Sequence, residues 1–321
     1  MIKKRLEEID ILRGISVFAI ILIHSCSYFL HKRIAFILWD YSQFAVAVFI
    51  FCSAYIFFVA EPQINISNVL KYLKKRLWRL LPTYYLFAAT YLFLSVLFDK
   101  KIMTVKVILQ NLFLYGGIDF NWLILLFVYL AILMPIIYFL YKNIRVFFYV
   151  GLLLSLSSSI LFLFSRPLNY RIIMWLPWSL ILYFTLLFIK SKRKKLFLFL
   201  SIIIFLTIFI VLKLTIIKGT QFQNKYPPNL YHLSYSLFSL SVLYFLSKIN
   251  PLRLNIIKTF FYFLSSNSYT IFFIHLIVIF LITVPVKLRL NWMNFFLLVF
   301  LSTVLIQLFL NFLKKLTHKI D

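Results

Sequence analysis

The chain has 321 residues, of which 64% are hydrophobic and 20% aromatic, and it carries 34 lysines and arginines against 8 aspartates and glutamates. A soluble domain of this length could not hide so much apolar surface, and only 5 glycines with long apolar runs argue against an outer-membrane barrel. The net charge of +26 would suggest nucleic-acid binding in a soluble protein, but here the basic residues lie in short loops between apolar runs, and no soluble basic domain exists to carry that function.

Ten apolar segments are long enough to be predicted as membrane-spanning helices. They cover residues 9–30, 41–60, 80–98, 120–141, 146–164, 172–189, 196–215, 230–248, 260–282 and 293–313. The segment 105–117 is too short to cross and is predicted as a surface or re-entrant helix. We therefore expect one all-α polytopic membrane domain over residues 1–321, with a retained first span rather than a signal peptide.

The distribution of basic residues predicts the orientation of these spans. An even number of spans places both termini on one side, and the denser set of lysines and arginines makes that side cytoplasmic. The denser set falls within residues 3–5, 71–79, 142–145, 190–195, 248–258 and 314–319. The sparser set, on the opposite side, includes Lys32, Arg33, Lys100, Lys101, Arg166, Arg171, Lys225, Lys287 and Arg289.

The first span carries ionisable side chains in an otherwise apolar helix. Arg13 and His24 are eleven residues apart, close to three helical turns, so both lie on one face about 16 Å apart along the axis. Asp10 precedes Arg13 by three residues, within reach of an ion pair that lowers the cost of burying the arginine. Ionisable groups at such depths usually face a protein interior or a water-filled path. His24 is a candidate general base, and a histidine hydrogen-bonded between helices is the alternative.

An arginine pair lies at the start of the third span. Arg76 and Arg79 are one turn apart at its predicted cytoplasmic entrance, and Pro82 lies just inside. Arginine pairs bind phosphate through forked hydrogen bonds, so this pair predicts a site for a phosphate-bearing cytosolic cofactor. Ordinary positive-inside anchoring is the alternative, and it fits the neighbouring Lys71 and Lys74 well.

A second intramembrane histidine follows a polar run in the ninth span. The run covers residues 265–269, and Ser268 and His275 are seven residues apart on one helical face. Two histidines in spans one and nine favour a polar chamber between these spans, although His275 could be only a hydrogen-bonding partner. Ser53 and Tyr55 in the second span, and Trp122 at a membrane interface, are weaker candidates that close helix packing and interfacial preference also explain.

Several classes of chemistry have no signature in the sequence. No metal-ligand spacing of the His-x-x-x-His type is present, and there is no nucleotide-binding loop or nucleophile turn. A nucleotide-driven pump is thereby excluded on this chain alone. The scarcity of carboxylates in the spans argues against a proton-coupled transporter.

At these residues the chain resembles acyltransferase family 3, the multi-span membrane O-acyltransferases. The family's first-span arginine and histidine are matched by Arg13 and His24, and its R-x-x-R-[IL]-x-P signature by residues 76–82. Its late Ser-Tyr-x-[IL]-[YF]-x-x-His signature is matched by residues 268–275. The resemblance covers essentially the whole chain.

Two motifs depart from the family pattern. The family's Ser-Gly-[FY] in the second span is Ser53-Ala54-Tyr55 here. The fourth-span motif around Asn121 and Trp122 lacks the glutamates that many members carry, which resembles the subgroup without a fused extracellular domain.

The resemblance implies an enzyme that moves acyl groups, usually acetyl, from cytosolic acyl-coenzyme A (acyl-CoA) to hydroxyls of a glycan or glycolipid at or beyond the outer membrane face. It implies that His24 and Arg13 form the catalytic pair and that Arg76 and Arg79 lie where coenzyme A phosphates enter. The supporting residues are Asp10, Ser53, Tyr55, Trp122, Ser268, Tyr269 and His275. We expect a multi-pass protein of a bacterial plasma membrane that contacts lipids and polysaccharide-synthesis proteins and uses no metal.

Two other functions remain open at this point. The first is a polysaccharide or lipid-linked oligosaccharide exporter that does no chemistry. In that case, replacing His24 would reduce the amount of surface glycan rather than its acetylation. A non-catalytic membrane partner would not bind acetyl-CoA at all. Within the enzyme hypothesis, direct attack by the sugar hydroxyl and transfer through an acylated residue are both compatible with the sequence.

Overall fold

The computed structural model describes residues 6–99, 104–248 and 255–317, and within these ranges the chain is helical without a β-strand. The predicted all-α membrane fold is thereby confirmed. Some of the basic residues that predict the orientation lie outside the described ranges, namely Lys3, Lys4, Arg5, Lys100, Lys101, Arg253 and Lys319.

Fifteen helices are present in the described ranges. They are α1 Glu7–Cys26, α2 Arg33–Tyr41, α3 Ala45–Val59, α4 Ile66–Asp99, α5 Val105–Leu112, α6 Asn121–Asn143, α7 Arg145–Leu161, α8 Tyr170–Ile173, α9 Trp175–Trp178, α10 Leu180–Lys190, α11 Lys194–Thr215, α12 Leu230–Leu246, α13 Asn255–Ser266, α14 Ser268–Thr283 and α15 Trp292–Thr317. A short 3-10 turn, Ser27–Phe29, continues α1.

The helices belong to two compact units. Unit 1 consists of the described residues within Met1–Ala45, Leu86–Met103 and Asn250–Asp321. Helix α1 is its centre and packs against α13, α14 and α15. The Phe18 ring, for example, lies 5.4 Å and 5.6 Å from the rings of Phe296 and Phe300 on α15. Helix α1 can be central because it is largely apolar around its circumference, as expected of a helix buried in a bundle.

Unit 2 consists of the described residues within Val46–Tyr85 and Thr104–Ile249. Its helices α11 and α12 pack together, and α7 packs against α6 and α9. An aromatic core joins α3, α10 and α12, where the Tyr244 ring lies 5.0 Å from Phe188 and 5.9 Å from Phe51.

Seven helical segments are long and apolar enough to span a membrane, and the bent pair α13–α14 raises the number to eight. Two shorter apolar helices, Arg145–Leu161 and Leu230–Leu246, coincide with the remaining two of the ten predicted spans. The polytopic character is thus confirmed, whereas the count of ten, the cytoplasmic termini and the single domain stay predictions.

Some predicted boundaries are wrong. The third span was placed at residues 80–98, but α4 begins at Ile66 and continues through Pro82. The hydropathy signal misses its first turns because lysine, arginine and leucine form helices well without being uniformly apolar. The sixth predicted span, 172–189, matches a candidate span over Tyr170–Lys190, in which α8, α9 and α10 follow one another. The short helix predicted over 105–117 ends at Leu112.

The ninth span, predicted as one helix over 260–282, is two helices that meet at Asn267 with a bend of 81°. The polar run at the bend explains the break, since serine and asparagine side chains compete for backbone carbonyls. The Ser266 hydroxyl donates to Tyr262 O at 2.8 Å, and the Asn267 amide donates to Phe263 O at 2.8 Å. Across the bend, Gln307 of α15 donates to the Asn267 side-chain oxygen at 3.1 Å.

Candidate active site

An acid, a serine and an arginine form a buried cluster between α1 and α13 in unit 1. The Ser265 hydroxyl donates to Asp10 Oδ1 at 2.6 Å. Arg13 Nη1 lies 3.8 Å from the same carboxylate oxygen and donates to Ser265 Oγ at 3.5 Å. The predicted contact between Asp10 and Arg13 is therefore present, and Ser265 completes it. A buried carboxylate with both partners keeps its charge at a lower cost than an isolated one.

Gly14 allows this cluster to form, because α1 and α13 approach closely at this residue. A Cβ atom at Gly14 would lie 2.6 Å from the backbone oxygen of Phe261 and 2.9 Å from its Cβ. Real Cβ atoms essentially never come so close to backbone atoms. Any larger residue at this position would separate the two helices and move Ser265 away from Asp10.

The two predicted histidines are neighbours in unit 1. The ring centroids of His24 on α1 and His275 on α14 are 5.3 Å apart. His275 is fully buried, and its Nδ1 lies 3.0 Å from the carbonyl oxygen of Ile271. Because a carbonyl can only accept, Nδ1 carries the hydrogen and Nε2 keeps its lone pair. Among the described residues, this buried Nε2 atom has no hydrogen-bond partner.

The predicted pair of Arg13 and His24 lies on one helix, but the structure does not bring the two groups together. Their separation along α1 is about 16 Å from the helical rise. The contact with Asp10 draws the Arg13 guanidinium toward the start of α1, away from His24. The two groups can therefore act on different parts of one elongated molecule, but not on the same atom.

The predicted phosphate-binding arginines lie in unit 2. Arg76 Nη2 donates to Ser53 Oγ on α3 at 3.2 Å, which joins two of the predicted site residues. Arg76 is half-buried, whereas Arg79, one turn further along α4, is exposed. Because α4 begins at Ile66, both arginines lie well within the helix rather than at its start.

The remaining predicted residues occupy separate places. Tyr55 on α3 contacts Tyr244, with ring centroids 6.4 Å apart. Ser268 is the first residue of α14, and Tyr269 packs edge-on against Phe273 at 5.0 Å.

Trp122 packs against the loop between α11 and α12. Its ring lies 4.9 Å from Tyr226 and 5.2 Å from the Lys225 ammonium. Burial lowers the pKa of Lys225 to about 7.

In the sequence, Ser265 is distinguished only as part of a polar run, and Gln307 is not predicted as a site residue. Ser265 is 255 residues from Asp10, and Gln307 is 40 residues from Asn267. Two features of the sequence could have identified these residues. Ser265 lies three residues before the late Ser-Tyr motif, and Gln307 lies inside the apolar last span, where a side-chain amide needs a hydrogen-bond partner.

Comparison with protein families gives a match that covers almost the whole chain. The acyltransferase 3 family, described as "Acyltransferase domain", matches residues 6–311. Comparison with curated proteins and with solved structures gives no significant match. The chain belongs to this acyltransferase family.

Proposed function

We propose that this membrane acyltransferase moves an acetyl group from cytosolic acetyl-CoA to a hydroxyl of a cell-surface or exported glycan, in a bacterial plasma membrane. The observation that carries the proposal is the contact between His24 and His275, 5.3 Å apart in unit 1. Two imidazoles in contact inside an apolar bundle, one with a free lone pair at Nε2, form a site suited to moving protons.

His24 acts as the general base in the proposed reaction. It removes the proton of the sugar hydroxyl as the oxygen attacks the thioester carbonyl carbon and forms the new carbon–oxygen bond. The tetrahedral intermediate then loses the coenzyme A sulfur, and the proton passes from His24 to the departing thiolate. We assign His275 a positioning role: its Nε2 lone pair, beside the His24 ring, can accept a hydrogen bond from that ring during the reaction and so orient the base.

The arginines have separate roles. Arg76, held against Ser53, binds a phosphate of acetyl-CoA, and Arg79 contributes positive charge from the exposed face of α4. Arg13 is held by Asp10 and Ser265 at a distance from His24, so we assign it to positioning an elongated substrate rather than to proton transfer.

The test uses purified full-length protein in neutral detergent with acetyl-CoA labelled on the acetyl group. We expect the wild-type protein to bind it and to hydrolyse the thioester slowly. His24→Ala should retain binding and lose hydrolysis by roughly 10²–10⁴-fold, the usual contribution of a general base. Arg76→Ala should weaken binding.

Matched controls are His31→Ala and Arg166→Ala, which replace an exposed histidine and an exposed arginine. Both should behave like the wild-type protein. Absence of acetyl-CoA binding by well-folded wild-type protein would overturn the donor assignment. Unchanged hydrolysis by His24→Ala would overturn the role of His24.

A further inference from the structure

Three helices of unit 2, and the turn that follows a fourth, α12, place a basic residue around the C-terminal part of α3. Each of these helices also contributes an aromatic side chain two or four residues earlier. The pairs are Tyr72 and Arg76 on α4, Tyr138 and Lys142 on α6, Phe188 and Lys190 on α10, and Tyr244 and Lys248 near the end of α12. We call the four basic residues Arg76, Lys142, Lys190 and Lys248 the α3 cation cluster.

Contacts of α6 and α10 place two of these cations beside the end of α3. Phe58 stacks on the Tyr138 ring at 6.1 Å, and the Lys142 ammonium lies 5.0 Å from the centre of that ring. The Lys190 ammonium donates to Glu61, two residues after the last residue of α3.

Contacts of α12 and α4 place the other two cations, Lys248 and Arg76, beside residues of α3 that precede its C-terminal end. Tyr55 contacts Tyr244, and the Lys248 ammonium lies 5.1 Å from the centre of the Tyr244 ring. Arg76 reaches Ser53, which is about 9 Å along the helix axis from the end of α3. The cluster thus extends inward from a solvent-accessible rim to the half-buried Arg76.

Glu61 is the carboxylate of this cluster. In the sequence of unit 2, carboxylates occur only at Glu61 and Asp119. The hydrogen bond from Lys190 and its charge lower the pKa of Glu61, with a smaller contribution from Lys142, so Glu61 is ionised at neutral pH. Its side chain is 57% exposed, so the ion pair with Lys190 lies within reach of a dissolved anion.

The balance of charges favours an external anion with several phosphates. One carboxylate leaves the cluster with a surplus of positive charge, and lysine and arginine are the usual phosphate ligands. An exposed ion pair contributes little to stability, so phosphate oxygens can replace the Glu61 carboxylate at Lys190 at low cost. If these basic residues served only as positive-inside anchors, their side chains would be expected to contact lipid headgroups. Instead, Arg76 donates to Ser53 of α3 and Lys190 donates to Glu61.

We propose that the α3 cation cluster binds the diphosphate and 3′-phosphate of the nucleotide end of acyl-CoA, with Glu61 as an internal anion that competes for Lys190. This inference rests on the proposed function, in which acyl-CoA is the donor. It extends the predicted arginine site to three lysines and assigns Glu61 an inhibitory role.

The test measures binding of adenosine 3′,5′-bisphosphate and of coenzyme A to the full-length protein in neutral detergent without anionic lipid. Lys142→Ala and Lys248→Ala should each weaken binding about threefold to tenfold. Glu61→Gln should instead tighten binding roughly twofold to fivefold, because Lys190 is released from its carboxylate.

Lys213→Ala is the matched control. Lys213 is also an exposed lysine of unit 2 over a tyrosine ring, 5.8 Å from the centre of Tyr231, but it lies on α11 outside the cluster. This variant should bind both nucleotides like the wild-type protein. A loss equal to that of Lys142→Ala would overturn the inference, since it would reflect net charge alone.

Two further outcomes separate the inference from the proposed function. If the wild-type protein binds and hydrolyses acetyl-CoA while the Lys142, Lys248 and Glu61 variants bind nucleotide unchanged, the cluster assignment is overturned and the proposed function stands. If the variants change binding to phosphatidylglycerol vesicles but not to adenosine 3′,5′-bisphosphate, the cluster recognises lipid headgroups and the inference is overturned. Failure of the wild-type protein to bind acetyl-CoA would refute the proposed function itself.

Discussion

A single backbone contact determines the chemistry available to His275. Its Nδ1 is committed to the Ile271 carbonyl, so only Nε2 can interact with another group. Desolvation makes a buried polar atom costly without a hydrogen bond, which gives Nε2 a strong preference for a donor. The neighbouring His24 ring supplies such a donor in our mechanism.

Replacing His275 tests this arrangement. His275→Ala should lower kcat for thioester hydrolysis by roughly tenfold, the equivalent of one lost hydrogen bond, with little change in KM for acetyl-CoA. His275→Gln should restore part of the rate, since its amide oxygen can accept from His24. A change in KM alone, or an equal fall in kcat in both variants, would contradict a positioning role for His275.

Lys225 provides a pH-dependent prediction at the residue scale. Burial lowers its pKa to about 7 in the folded protein, whereas in the unfolded chain the pKa keeps the ordinary lysine value of about 10.4. Between these pH values the unfolded state binds more protons, so the contribution of Lys225 to stability should increase as pH rises above about 7.

Thermal unfolding in detergent measures this effect as the difference in Tm between wild-type protein and Lys225→Met. The uncharged variant should be the more stable one near pH 6, and its advantage should shrink as pH rises toward about 10. Lys213→Met, at an exposed lysine over a tyrosine ring, should show no such trend. Parallel Tm curves for wild type and Lys225→Met would contradict the buried ammonium.

At the residue scale, contacts within one helix are easier to predict from the sequence than contacts between helices. Asp10 and Arg13 are three residues apart, so helical geometry alone predicts their pairing. Ser265 and Lys190 have partners 255 and 129 residues away, and no periodicity carries that information. The proximity of His24 to His275 was expected only because both lie in apolar spans that share polar residues.

At the scale of elements, the close approach of α1 and α13 depends on Gly14. Gly14→Ala gains up to about 1 kcal/mol of helix propensity, but the clash with the Phe261 backbone costs about 1–3 kcal/mol. The clash should therefore dominate, because a backbone oxygen cannot rotate away as a flexible side chain can.

We expect Gly14→Ala to lower Tm in detergent by several degrees and to reduce thioester hydrolysis through displacement of the cluster of Asp10, Arg13 and Ser265. Gly219→Ala is the control, since the closest atom to its new Cβ would be Oε1 at the end of the Gln223 side chain. A Gly14→Ala protein as stable as the wild type would show that α1 and α13 can separate freely.

The bend at Asn267 shows why hydropathy misses such features. The polar residues 265–268 lie among many apolar residues, so the mean hydropathy of the segment stays high and predicts one continuous span. The bend becomes visible only through its hydrogen bonds, including Thr270 Oγ1 to Gln307 Oε1 at 2.6 Å. The early start of α4 is missed for the opposite reason, because its first turns are too polar to register as an apolar segment.

At the scale of the whole molecule, composition and apolar periodicity were sufficient to predict an all-α membrane protein. The number of spans depends on how the bent pair and the two 17-residue helices are counted. An even number of spans, such as ten, would leave both termini on one side of the membrane. Orientation follows from the loop charges and not from helix packing, so it needs a separate measurement.

Cysteine labelling provides that measurement, because both native cysteines, Cys26 and Cys52, are buried. We expect a membrane-impermeant maleimide to label Arg166→Cys in intact cells and Lys192→Cys only after permeabilisation. The two positions lie on either side of α8–α10 and are both exposed. Labelling of both positions in intact cells, or the reverse pattern, would contradict the predicted orientation.

We propose that the chain acetylates an envelope glycan through His24. The most direct measurement is the ratio of O-acetyl groups to sugar, together with total glycan, in cells that carry wild-type protein or His24→Ala at equal membrane levels. Our account predicts that His24→Ala abolishes the O-acetyl groups and leaves the amount of glycan unchanged. A fall in total glycan with an unchanged ratio of acetyl to sugar would contradict the account and favour an exporter without chemistry.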